Sequence, residues 1–254
     1  HGDAFLDTDA LERERGITIF AKQAMLTAGE TEFNLIDTPG HVDFSAEMER
    51  TLSVLDYAVL VISGSDGVQS HTRTLWRLLE RYSVPTFLFI NKMDLAGADE
   101  GALMAQLTAA LSAECVDFSA PMSERDEALA LCGETALEQM LERGAVTDNC
   151  IADMVEQRMV YPCFFGSALK MQGVEELLAA LGRFTIEPDY PDAFGARIFK
   201  ISRDAQGARL TWLKVTGGTL RVKAPLTYDA QGKSYSEKAD QLRLYSGVRF
   251  RPLE

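Results

Sequence analysis

Three short apolar runs, each ending in residues that carry chemistry, constrain this chain most. Phe33 to Ile36 runs into Asp37, Thr38, Pro39, Gly40 and His41; Thr86 to Ile90 runs into Asn91, Lys92, Met93 and Asp94; Tyr161 to Phe165 runs into Gly166, Ser167, Ala168 and Leu169. A fourth run, Tyr57 to Ser63, lies between the first two. Apolar stretches of this length bounded by turn residues read as buried strands. Amphipathic stretches alternate with them, so the chain is expected to form an α/β fold with a doubly wound, mostly parallel sheet.

The first run delivers a carboxylate and a glycine to one point above a sheet edge. Asp37 suits a Mg²⁺ ion held through water, because Mg²⁺ keeps much of its hydration shell and takes few protein carboxylates. Gly40 has no Cβ, so its backbone can come close to a terminal phosphate and change conformation when that phosphate leaves. His41, beside it, is placed to orient an attacking water.

The second run ends in N-K-M-D. Guanine presents two adjacent donors, N1–H and the N2 amino group, which one carboxylate accepts together, whereas adenine has an acceptor at N1 and nothing at C2. Asp94 is therefore expected to read guanine. A buried site built for such a pair rejects the analogue lacking it by about 10⁴-fold, since the carboxylate would stay unpaired. Asn91 would tie loops together through its amide, and the Lys92 stem would lie along the base plane. Downstream, the Ala168 N–H could donate to guanine O6. Upstream, Thr18 in the stretch Arg15 to Ile19 offers a hydroxyl and a carbonyl to Mg²⁺ and the terminal phosphate.

With R-G-I-T-I, D-T-P-G-H, N-K-M-D and G-S-A-L in this order, the chain resembles the translational GTPases. It looks like elongation factor G and, more closely, the tetracycline-resistance ribosomal protection proteins. The likeness covers nearly the whole chain, including S-V-L-D-Y-A-V-L-V-I-S, D-G-V-Q-S-H-T-R and R-L-T-W-L-K-V-T-G-G-T-L. It implies a P-loop GTPase fold, GTP or GDP with Mg²⁺, and a ribosomal partner. Thr18 and Asp37 would then serve the metal, with Gly40 at the γ-phosphate. Asn91, Lys92, Asp94, Ser167, Ala168 and Leu169 would hold the nucleotide, and His41 would act in catalysis.

The resemblance also implies a phosphate-cradling G-x-x-x-x-G-K-[ST] loop and a central first strand. Neither occurs in the sequence, so both are expected upstream of His1. Residues 1–188 are read as a GTP-binding domain without its P-loop, with a helical insertion at about 98–160. Residues 1–15 would be the end of a first switch segment, and Gly16 to Ala28 would form a hairpin with Glu32 to Ile36. Helices are expected at about 44–55, capped by Asp43, and at 69–82, with Leu75, Leu78, Leu79 and Tyr82 on one stripe. Further helices are expected near 98–112, 134–143, 149–157 and 174–184, and the acidic residues Glu124, Asp126, Glu127 and Glu134 read as a solvated face. After the proline-bearing linker Glu187 to Pro191, short runs near period two indicate an incomplete translation-factor β-barrel over 189–254, whose closing strands are expected beyond Glu254.

Composition limits the alternatives. The net charge of −13 argues against loose, charge-driven nucleic-acid binding, so no DNA partner is expected and a ribosome would be met through local patches and shape. Four separated cysteines and three histidines give no zinc or disulfide pattern. No apolar run approaches the ~20 residues of a membrane span, so no membrane partner and a cytoplasmic location are expected, as is a monomer. Ribosomal protection against tetracycline is the favoured activity, and translocation of the elongation factor G kind is the alternative. A reading of another class is an acidic interaction fragment that hydrolyses nothing.

Overall fold

The computed structural model describes residues 22–29, 31–39, 45–204, 206–230, 232–247 and 249–253. Thr18, Gly40 and His41 lie outside them, as do the expected switch segment at 1–15, the strand residues 16–21 and the Asp43 cap. In chain order the elements are β1 (Lys22–Ala28), β2 (Thr31–Asp37), α1 (Ser45–Leu52), β3 (Ala58–Ser63), α2 (Ser70–Arg81), β4 (Thr86–Asn91) and α3 (Glu100–Ala110). There follow β5 (Cys115–Asp117), α4 (Met122–Ala130), α5 (Glu134–Arg143), α6 (Asp148–Glu156), β6 (Tyr161–Phe165) and α7 (Val174–Phe184). The last six strands are β7 (Gly195–Arg203), β8 (Arg209–Gly217), β9 (Pro225–Ala230), β10 (Lys233–Lys238), β11 (Leu242–Ser246) and β12 (Arg249–Leu253). The chain divides into two compact units, one of Ala28–Thr31 and Leu55–Pro188, the other of His1–Thr27, Glu32–Val54 and Asp189–Glu254.

The first of these units is built on a parallel sheet in the order β3-β4-β6-β5. Its two central strands read as unbroken apolar runs because helices cover both faces, which removes the need for alternation. Every residue of β6 is buried, and Phe87, Leu88 and Ile90 of β4 have no exposed surface. β3, at one end of that order, alternates instead: Leu60 and Ile62 are buried while Val61 is 58% exposed. Phe87, Phe89, Val116, Ile151, Val155, Phe164, Leu177 and Phe184 share one core. Burying each large side chain contributes about 1.5–3 kcal/mol. Parallel strands joined by crossovers all point one way, so Ser63, Asn91 and Phe165 end at the same edge of the sheet.

α2 forms where its periodicity predicts, but turned about its axis. Thr72, Trp76 and Leu79 are its buried residues, while Leu75, Leu78 and Tyr82 are half-buried flanks. Trp76 lies on the buried face, and its ring meets Tyr161 edge-on at a centroid distance of 4.7 Å. The insertion also departs from expectation. It contains a three-residue strand, β5, and a helix, α4, that carry too little periodic signal to read. Asp126 is not on a solvated face: it is 1% exposed, receives Arg125 Nε and Nη2 at 2.9 and 2.7 Å, and accepts the Val146 N–H at 3.1 Å. A carboxylate can be buried in this way when a cation and an N–H satisfy it. Glu124, Glu127 and Glu134 are exposed, as expected.

β1 and β2 pair across a turn at Gly29, whose φ is 62°. The residues from 195 onward form three antiparallel pairs, β7-β8, β9-β10 and β11-β12. Trp212 organises the first: its Nε1–H donates to Ser202 Oγ at 2.8 Å and its ring lies 4.7 Å from that of Tyr245. Tyr245 in turn meets Phe250, and Arg243 pairs with Asp204 at 3.2 Å. Among the described residues, no helix is long and apolar enough to cross a membrane.

Candidate nucleotide-binding site

The loops that leave β4 and β6 are stitched to each other by hydrogen bonds. Asn91 Oδ1 accepts from its neighbour Lys92 N and from Ala168 N, both at 2.8 Å, and Met93 N donates to Gly166 O at 3.0 Å. The Asn91 amide thus joins the loops, as its residue type suggests. The Ala168 N–H, expected to face guanine O6, is given to Asn91 instead. A third loop is drawn in from β3, where Gly64 N donates to Asn91 O at 2.7 Å.

Close backbone approach fixes this geometry. A Cβ on Gly166 would stand 2.1 Å from Gln172 O, and one on Gly173, with φ 74°, would stand 2.5 Å from Phe165 O. Only glycine fits such contacts. Ser167 and Gln172 exchange both backbone hydrogen bonds at 3.0 Å, with a single 3-10 turn, Ala168–Lys170, between them. Lys92 itself takes φ 65°, a left-handed conformation that costs energy for a residue with a side chain. Strain of this kind collects at ligand-binding turns.

These turns carry Asn91, Lys92, Asp94, Ser167, Ala168 and Leu169, and the Asp94 carboxylate meets Ser167 and Lys170 among them. The Asp94 side chain is 14% exposed. The Ser167 hydroxyl, chiefly, and the nearby Lys170 ammonium hold the Asp94 carboxyl below its usual range, against the desolvation that would raise it. The group is therefore an acceptor only, with room for two donors on its two oxygens. Ser167 is 1% exposed, and its Oγ makes no hydrogen bond of regular geometry despite its influence on Asp94. A buried hydroxyl left in this way is a costly feature. Leu169 is 90% exposed, and the Lys92 side chain is exposed too.

Asp37 stands half-buried at the end of β2, in the other unit. Among the described residues, no group of three or more His, Cys, Asp or Glu side chains could hold a metal ion. Two contributors escaped sequence reasoning. Lys170 pairs with Asp94 at 3.5 Å, and its only signal was a cation three residues after Ser167. Gly64 had none, because its role is a backbone contact, with a Cβ there standing 2.7 Å from Met93 Sδ.

The family described as the elongation factor Tu GTP binding domain matches residues 1–186. The chain belongs to that family. Among members of this translation-factor GTPase group, it is 33% identical to an oxytetracycline resistance protein of Streptomyces rimosus, over 89% of this chain and 38% of that protein. It is 34% identical to the tetracycline resistance protein TetM of Streptomyces lividans, over 89% of this chain and 40% of the relative. Elongation factor G 2 of Geobacter metallireducens is 30% identical over 98% of this chain and 46% of its own length. The chain thus spans less than half the length of these relatives. A crystal structure of a protein from Thermus thermophilus superposes with a TM-score of 0.81 at 21% identity, over 100% of this chain and 45% of that one, and shares the fold.

Proposed function

We propose that this chain is the guanine-reading part of a ribosome-dependent GTPase, hydrolysing GTP to GDP and phosphate. One observation carries the reading: the Asn91–Ala168 stitch brings the Asp94 carboxylate and the Ser167 turn into one site, where an ionised acceptor faces a ligand-sized need for two donors. Asn91, Lys92, Asp94, Ser167, Ala168 and Leu169 form the base site. Thr18 and Asp37 supply hard oxygen donors of the kind Mg²⁺ prefers, and the ion, when bound, would neutralise phosphate charge. Gly40 is assigned to the γ-phosphate and His41 to the orientation of the attacking water. Residues 1–188 act as the GTP-binding domain, with an insertion at about 98–160, and 189–254 as part of the second domain. A ribosomal partner places the protein in the cytoplasm.

Ribosomal protection against tetracycline is the favoured activity, supported by resistance proteins at 33–34% identity. Translocation remains the second reading, supported by elongation factor G at 30% over 98% of the chain. The test is GTP binding and turnover by the full-length protein with and without vacant ribosomes, in wild type, His41→Ala and Asp94→Asn. His41→Ala should abolish ribosome-stimulated turnover and keep GTP binding. Asp94→Asn should weaken GTP and strengthen xanthosine triphosphate, which carries an acceptor where guanine has a donor. An unchanged base preference, or equal loss of binding and turnover in His41→Ala, would refute these assignments.

A further inference from the structure

The Asp94 carboxylate has a cation within reach. Lys170 Nζ lies 3.5 Å from Asp94 Oδ2, with the lysine side chain 55% exposed and the aspartate 14%. The lysine does not wander there from a loose loop. Its own N–H donates to Ser167 O at 3.0 Å, the next residue, Met171, turns at φ 59° and donates to Ala168 O at 3.2 Å, and Gln172 closes the ring back to Ser167. The stem of Lys170 therefore starts from a fixed point in the same turn that carries Ser167 and Ala168. This ion pair is the link between the two loops that brings a charge to the carboxylate.

An aspartate needs such a link to read two donors at once. Its terminal torsion is broad and roughly two-fold, so a carboxylate held only at its Cβ samples a wide arc. Two neighbouring donors on a rigid ring require both oxygens to lie in the plane of that ring. An ionised carboxylate has about four lone-pair sites, so a cation on Oδ2 leaves enough for a base edge.

We propose that Lys170 is a positioning residue for guanine specificity: its ammonium pins Asp94 Oδ2, so that both carboxylate oxygens are presented to the N1–H and the 2-amino group together. This rests on the guanine-site reading above and adds a residue to it. Lys170 touches no base in this role; it acts through Asp94. Its strongest effect falls on the second donor, the 2-amino group, because a carboxylate free to rotate can still follow one N–H but not two.

The test compares GDP with inosine diphosphate, which keeps N1–H and lacks the 2-amino group. Affinities are measured by fluorescence titration on the full-length protein, in wild type, Lys170→Ala and Lys170→Arg. Lys170→Ala should weaken GDP by about 5- to 10-fold, the scale of one charge-assisted contact, and inosine diphosphate by much less, so that the preference between them shrinks. Lys170→Arg should restore most of that preference, since a guanidinium can hold the same oxygen. Equal weakening of both nucleotides would show only loop damage and overturn the proposal, as would no change in either. A wild type that does not prefer GDP to inosine diphosphate would overturn the guanine reading itself, and the role of Lys170 with it.

Discussion

Five of the six residues of β4 are buried, whereas all six of β10 are exposed. The two strands have the same length and different sources of order. β4 is held by apolar packing on both faces of a parallel sheet, so its end, Asn91, is placed by the whole core. β9 and β10 are held by their ladder and by cross-strand side chains such as Tyr228 and Tyr235, whose rings stack at 5.5 Å with 16° between planes. The proposed binding residues Asn91 and Ser167 lie at or just after the ends of strands of the first kind.

The sharpest way to break this contrast is Leu88→Ala in β4. Leu88 has no exposed surface, and removing it should cost about 2–5 kcal/mol of stability, read by chemical denaturation. A loss well under that range would mean that the sheet does not carry the fold. Asn91→Ala separates the packing of β4 from the site at its end. It strips two N–H groups of their acceptor and should cost about 1–3 kcal/mol while lowering GDP affinity, so unchanged binding would show that the stitch to Ala168 is dispensable. Tyr235→Ala should have the smallest effect, about 0.2–1 kcal/mol, with GDP affinity untouched. A larger cost there would mean that the exposed hairpins contribute as much to stability as the core.

The same contrast explains what could be read in advance. Strands buried on both faces announce themselves as apolar runs, so β4, β6 and the polar residues after them, N-K-M-D and G-S-A-L, were legible. β10, K-S-Y-S-E-K, has no buried face and left no pattern. Asp126 looked like a surface carboxylate because its partners, Arg125 and the Val146 N–H, come together only in the folded insertion. Trp76 shares the buried face of α2 with Leu79 because its ring meets Tyr161, far along the chain. Lys170 was invisible for a related reason: its meaning lies in a 3.5 Å distance to a residue in another loop. Local pattern reveals burial; it does not reveal which polar groups meet.

The register of the sheet sets a length tolerance on the site. Ser63 lies level with Asn91, and Ile90 level with Phe165, so the loops after β3, β4 and β6 start within about one residue of a common line. A strand advances roughly 3.3 Å per residue. That step is longer than the 2.8 Å bond between Asn91 Oδ1 and Ala168 N. Deleting or inserting a single residue within β4 would therefore move Asn91 by more than its whole bond to its partner, and would also turn its side chain to the opposite face. The strands work as spacers cut to a common length, and the site tolerates substitution along them far better than any change in their count of residues.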